Sequence, residues 1–283
     1  MNPETIAVEV PFHLAGGLDP LILVPASVNG EEPHPFILDT GAGQCLLSPV
    51  LAGRLGIEPE SERQARGAGG PLTVSMARVR SLAVGSAREE DVQVAITGEL
   101  ARIGTAIRAR VEGVLGFNFL QRFRVELDYA QSVLRLVRPL EPRDEGSGPR
   151  RALLPFHLAA PTKPLVLVPV FVDGEGPFQF ALDTGASRTM LAPDLVHRLG
   201  LQTVEDDAAT GAGGAVQIVA GTVTSLAVGE VAVRDHAIGA GEFVHWIRQA
   251  AGVPLDGILG YNFLNQFRVT IDYPRSVLEL TAP

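Results

Sequence analysis

Apolar residues in this chain fall in short runs broken by Gly, Pro, Asn and Asp, and none approaches the about 18 residues of a membrane span. That rhythm predicts short strands joined by turns rather than long helices. Leu21–Val28 and Phe36–Leu38 read as strands bridged by Asn29-Gly30-Glu31-Glu32-Pro33, a hairpin-type connection. An acid follows at once, in Asp39-Thr40-Gly41-Ala42. A short helix is predicted next, with Ser48 as its cap, Pro49 in its first position and Gly56 at its end. The Gly-rich Gly67-Ala68-Gly69-Gly70 leads into strands over Thr73–Val84 and Val92–Ile96. Gly113-Val114-Leu115-Gly116 reads as a turn, a helix starts near Asn118, and Val125–Leu127 and Val133–Val137 are closing strands.

The whole pattern then returns. Sliding the sequence by 144 positions pairs residues 11–136 with 155–280 without a gap, and over 50 of those 126 pairs are identical. Repetition on that scale marks two copies of one unit. Residues 1–138 are assigned to the first lobe and 152–283 to the second. Residues 139–151, rich in Pro, Gly and charge, form the linker. The copies diverge most at 97–112 against 241–256, where Phe243, His245 and Trp246 replace Glu99, Ala101 and Arg102. Two readings stay open there: a pocket wall that has specialised, or drift in a surface helix.

Composition narrows the partners. Apolar residues make up 46% of the chain, enough for a core in each half, and the formal net charge is −9. Arg supplies nearly all the positive charge, since Lys163 is the sole lysine. An acidic chain is a poor match for nucleic acid or an anionic membrane surface. Cys45, the single cysteine, excludes an internal disulfide and reads as a small buried residue. Met1-Asn2-Pro3-Glu4-Thr5 has neither the basic nor the apolar part of a secretory signal, so a cytoplasmic location is expected unless a signal was removed, in which case it would be periplasmic or secreted.

The histidines His34, His197, His236 and His245 show no ligand spacing, and His13 and His157 stand alone on strands. No metal and no cofactor are expected. Gly67 to Gly70 is not followed by Lys-Ser/Thr, so it is no phosphate cradle. Asp128-Tyr129 and Asp272-Tyr273 also repeat, and read as residues closing a strand before a turn.

The chemistry concentrates in the two Asp-Thr-Gly loops. Each apolar strand delivers an acid, Asp39 or Asp183, into a tight turn, and two such loops face to face would pair two carboxylates. Adjacent carboxylates resist ionising together, which suits acid/base activation of water. Asp-Thr-Gly-Ala after an apolar strand, a Gly-rich hairpin beyond it, and apolar-apolar-Gly before a short helix together resemble the retropepsin-type aspartic peptidases, most of all the bacterial retropepsin-like proteins. The resemblance runs through both copies.

It implies an all-β acid-protease fold with short helices, built of two β-barrel lobes of six or seven strands related by a pseudo-twofold axis. Ile6–Val10 and Val277–Leu280 would help join the lobes in a shared sheet. Asp39 and Asp183 would be the catalytic dyad. Thr40 and Thr184 would brace the loops against each other, Gly41 and Gly185 would let substrate approach, and Ala42 and Ala186 would complete the loops. Gly67, Ala68, Gly69 and Gly70, with Gly211, Ala212, Gly213 and Gly214, would be the tips of two flaps over a peptide or protein substrate. Val114-Leu115-Gly116 and Ile258-Leu259-Gly260 would pack behind the loops. The expected assembly is a monomer with pseudo-dimeric lobes.

Two departures from the pepsin-like pattern carry an expectation. Ala42 and Ala186 stand where a hydroxyl residue often follows Asp-Thr-Gly, and neither flap holds a Tyr. A donor hydroxyl favours an ionised carboxylate, so its absence predicts a weakly acidic working range. Competing readings are a silent peptide-binding or scaffolding module of the same fold, and a dimer that exchanges lobes between chains.

Overall fold

The computed structural model describes residues 6–138, 152–160, 163–206 and 209–283. The assigned linker, 139–151, lies outside the described residues. The fold is mostly β with short helices, arranged as two β lobes.

In the first lobe an eight-stranded sheet closes on itself. Leu21–Val28 pairs with His34–Leu38, which runs parallel to Gly113–Leu115. Gly113–Leu115 then pairs with Cys45–Leu47, which lies against Ala87–Ile96. Ala87–Ile96 pairs with Gly70–Val84, whose far end returns to the first strand through Ser27↔Ala83 and Val28↔Leu82. Six strands thus form a barrel, with His13–Ala15 and Ser61–Gly67 at the sheet's ends. The second lobe repeats the ring, closed by Phe171↔Ala227 and Val172↔Leu226.

Alternation along these strands sends one face inward. Val24, Ala26, Val28, Phe36 and Leu38 are almost fully buried, as are Val168, Val170, Val172, Phe180 and Leu182 in the repeat. Burying one such Val, Leu or Phe side chain contributes about 1.5–3 kcal/mol, so the barrel rests on many equivalent contacts.

The lobes meet through a six-stranded antiparallel sheet in the order Ile6–Pro11, Val133–Arg138, Arg124–Asp128, Arg268–Asp272, Val277–Thr281, Ala152–Pro155. At its centre Glu126 pairs with Thr270, its own counterpart in the duplication, so the pseudo-twofold axis passes there. Both terminal strands take part, but Arg124–Asp128 and Arg268–Asp272 make the crossing. Asp128 and Asp272 hold the turns that follow, accepting hydrogen bonds from the Gln131 and Arg275 amides at 2.9 and 3.1 Å.

One expectation needs correction, and one strand was not expected. Gly113–Leu115 is not a turn but a buried parallel strand, and its glycine is steric: a Cβ on Gly113 would strike the Phe36 ring. Six of the eight strands described in each lobe's sheet close the expected barrel, and the other two lie at the sheet's ends. Ser61–Gly67 is a strand that the hydropathy pattern hides, because SERQARG is exposed along most of its length and has no apolar face. The helix predicted after Ser48 is present as Pro49–Arg54, with Ser48 Oγ accepting from the Leu51 amide at 3.0 Å.

Candidate active site

Leu38 and Leu182 end buried strands, and each next residue is the acid of an Asp-Thr-Gly loop. The Leu115 and Leu259 carbonyls accept hydrogen bonds from the Asp39 and Asp183 amides at 3.1 and 3.0 Å, fixing where each loop leaves its sheet. Behind the loops, Ala42 and Ala186 carbonyls accept from the Phe117 and Tyr261 amides at 2.8 Å, which docks the following short helices. Gly116 leaves room for this: a Cβ there would lie 2.5 Å from the Gln44 carbonyl oxygen.

The loops interlock across the axis. The Thr40 hydroxyl donates to the Leu182 carbonyl at 2.9 Å and accepts from the Thr184 amide at 3.0 Å. The Thr184 hydroxyl donates to Leu38 at 2.8 Å and accepts from the Thr40 amide at 3.1 Å. Both threonines are 1% exposed, so four hydrogen bonds are made where water does not compete.

This grip presses the acids together. A Cβ on Gly41 would lie 2.5 Å from the Asp183 carboxyl carbon, and one on Gly185 would lie 2.5 Å from that of Asp39. Only glycine fits at either position. Asp39 Oδ1 accepts from the Gly41 and Ala42 amides at 2.9 Å, and Asp183 Oδ1 from the Gly185 amide at 2.8 Å. Burial, then the Asp183 charge and a hydrogen bond to Asp183, hold the Asp39 carboxyl well above the usual carboxylate range; the Ala42 and Gly41 amides oppose them. The pair therefore favours a shared proton, one acid neutral beside one ionised.

Each lobe also contributes one Gly-rich hairpin. Ser61–Gly67 and Gly70–Val84 form the first, Ala209–Gly211 and Gly214–Val216 the second. Their tips meet: the Gly69 amide donates to the Ala212 carbonyl at 2.8 Å, and Cβ atoms on Gly67, Gly69 or Gly213 would collide with the opposite tip. The structure thus brings Gly67 to Gly70 and Gly211 to Gly214 into one closed bridge.

A family model described as aspartyl protease matches residues 24–119 and again 168–263. The chain belongs to the aspartyl protease family, as a retropepsin-like domain in two tandem copies. Each match carries one Asp-Thr-Gly loop, one flap and the helix behind the loop. The strands of the lobe-joining sheet lie outside both matches. A search of curated proteins found no match.

Several residues of this aspartyl protease family member escaped the sequence reading. Glu99 Oε2 accepts from the Gly213 amide at 2.8 Å and Arg102 donates to the Gly211 carbonyl at 3.4 Å, so the first lobe's helix Glu99–Ala106 holds the second lobe's flap. Conversely, Arg66 on the first flap lies over the Trp246 ring at 5.1 Å, on the second lobe's helix Phe243–Ala251. Divergence between the copies at 97–112 and 241–256 was the signal; the partners could not be read from it. Arg188 was also missed. It forms a two-pronged ion pair with Asp19 of the other lobe at 2.6 and 2.9 Å and reaches Asp206 at 2.5 Å, where the first copy has Gln44.

Cys45 is buried, and its sulfur accepts from the Gly116 amide at 3.3 Å, as Thr189 does from Gly260 at 3.4 Å. Burial pushes its thiol up to about 12, so it stays a thiol. His236 is also buried and lowered to about 4 by that burial, with Thr189 Oγ1 at 3.3 Å from its ring. Among the described residues no three His, Cys, Asp or Glu side chains are grouped to hold a metal ion, and no helix is long and apolar enough to cross a membrane.

Proposed function

We propose that this protein is an aspartic endopeptidase that hydrolyses peptide bonds with water activated by Asp39 and Asp183. One observation carries the reading: a single chain brings two carboxylates together, each wedged against the glycine of the other's loop, and also closes two flap tips on each other. In the reaction, the ionised acid of the pair takes a proton from a water molecule. That water attacks the peptide carbonyl carbon while the neutral acid donates its proton to the carbonyl oxygen. As the tetrahedral intermediate collapses, the acid that took the water's proton passes it to the leaving nitrogen and the other acid takes back its own from the oxygen, so the amine departs and no covalent enzyme intermediate forms. One proton held between two acids is the arrangement by which aspartic proteases work as a class.

Gly41 and Gly185 leave the loops bare of side chains, and the extended substrate pairs with backbone beneath the flaps. The raised Asp39 carboxyl favours a weakly acidic working range, in keeping with Ala42 and Ala186 beside the acids. The acting species is a monomer, since both halves of the site belong to one chain; a mass in solution of one chain at all concentrations checks this.

The test is cleavage of a diverse peptide mixture, read by mass spectrometry from about pH 3.5 to 7.5. Wild type is compared with Asp39→Asn and Asp183→Asn, all three checked for folding by circular dichroism. Cuts that vanish in both variants support a shared dyad. A folded wild type that cuts nothing across the range overturns the endopeptidase reading in favour of a peptide-binding module.

A further inference from the structure

The two helices that hold the flaps carry different chemistry. In the second lobe one apolar cluster joins the helix Phe243–Ala251 to a residue of the Asp183 loop and to the opposite flap. Ala186, next to the Asp183 loop glycine, Trp246, Ile247 and Ala68 on the first flap's tip all pack against buried residues that include Phe243. Residues 243, 246 and 247 share one side of their helix through the three- and four-residue spacings. Arg66, stacked on Trp246, fastens the flap at that end.

The first lobe has no equivalent cluster reaching the second flap among the described residues. Its apolar cluster reaches Ala42 and Ile103 and includes no flap residue among those described. The positions equivalent to Phe243 and Trp246 are Glu99 and Arg102, paired with each other and hydrogen bonded to the backbone of the second flap.

We infer that Glu99 and Arg102 on one wall, and Phe243 and Trp246 on the other, give the two sides of the scissile bond different specificities. This rests on the endopeptidase reading above. The second lobe's wall takes a large apolar or aromatic side chain, because an aromatic surface offers much area and no group to be desolvated. The first lobe's wall takes a polar, hydrogen-bonding side chain, because an apolar one would cover Glu99 and Arg102 without replacing their lost hydration. This corrects the simplest expectation from a duplicated site, equal apolar preference on both sides. It also sets a direction: a peptide with one large apolar and one polar residue about the cut fits only one way round.

Two readouts separate this inference from the reading beneath it. Cleavage-site profiles come from wild type; binding profiles come from a randomised peptide library enriched on Asp39→Asn protein, which needs no turnover. The expected result is enrichment of large apolar residues by about tenfold at one position only, the discrimination an apolar pocket provides. In Glu99→Phe/Arg102→Trp the enrichment should appear on both sides, and in Trp246→Ala it should vanish from the side where wild type has it. Equal preference on both sides of the wild-type cut, an unchanged profile in the folded double variant, or no peptide enriched at all would overturn the inference. Asymmetric enrichment without any cleavage by wild type would sustain it and sink the endopeptidase reading alone.

Discussion

Replacing Thr40 by Val tests whether the interlocked loops hold the lobes together. Val matches the shape of Thr and exchanges the hydroxyl for a methyl. Two hydrogen bonds disappear: the one donated to the Leu182 carbonyl and the one accepted from the Thr184 amide. Thr184 is 1% exposed, so its amide gains no water in exchange. A buried donor or acceptor left unpaired costs about 1–3 kcal/mol, and two lost bonds give about 2–6 kcal/mol. Thr40→Ser keeps the hydroxyl and loses one methyl, for about 1 kcal/mol. Urea unfolding followed by circular dichroism should therefore rank wild type, then Ser, then Val, with the Val gap at least twice the Ser gap. Thr184→Val should behave alike, since its hydroxyl makes the mirror-image bonds to Leu38 and Thr40. Equal midpoints for Thr40→Val and Thr40→Ser would refute the reasoning, because Val keeps the methyl that Ser loses and lacks only the hydroxyl.

Two further predictions concern the acids and the flaps. Asp39 has its carboxyl raised in the folded state, so the native protein keeps a proton that the unfolded chain releases above about pH 4, and stability is lost as pH rises through the folded value. Asp39→Asn should thus raise the thermal midpoint at pH 7 and raise it less near pH 4; an equal gain at both would count against a raised carboxyl. Gly69→Ala puts a methyl onto the Gly214 backbone of the other flap. It should lower kcat/KM about tenfold or more by keeping the tips apart, while the unfolding free energy stays within about 0.5 kcal/mol of wild type. Undiminished activity in that variant would show that the tips need not meet.

The duplication made much of the fold legible. Once Asp39 and Asp183 are seen in register, the loops, helices and closing strands of one copy can be checked against the other, and Leu21–Val28 starts and ends where its pattern does. What stayed hidden shared a physical cause. Ser61–Gly67 is stabilised by pairing with the neighbouring strand, so its side chains carry no period-two signal. Gly113–Leu115 is too short to display any period, and its glycine serves the Phe36 ring rather than a turn. Contacts of Glu99, Arg102, Arg66, Trp246 and Arg188 depend on lobe-to-lobe packing, which no local pattern encodes. Polar groups at such contacts look like ordinary surface residues until the partner is in place.

The pattern of identity between the copies follows from the geometry of the axis. Thr40 and Thr184 touch each other, so each depends on its counterpart, and a change in one strands polar groups belonging to both loops. Gly41 and Gly185 are bound in the same way, each having to clear the other lobe's acid. The helix-to-flap contacts lie off the axis and occur as two separate pairs, so each can change without disturbing the other. Glu99 and Arg102 hold the second flap by its backbone, which requires no particular side chain there, and that flap has Thr210 where the first has Arg66. Trp246 instead takes hold of a side chain, and Arg66 is the one supplied. A site assembled from two identical chains could not make this distinction, since each substitution would appear on both walls at once. Joining the copies in one chain keeps the paired acids symmetric while leaving the walls around them free to differ.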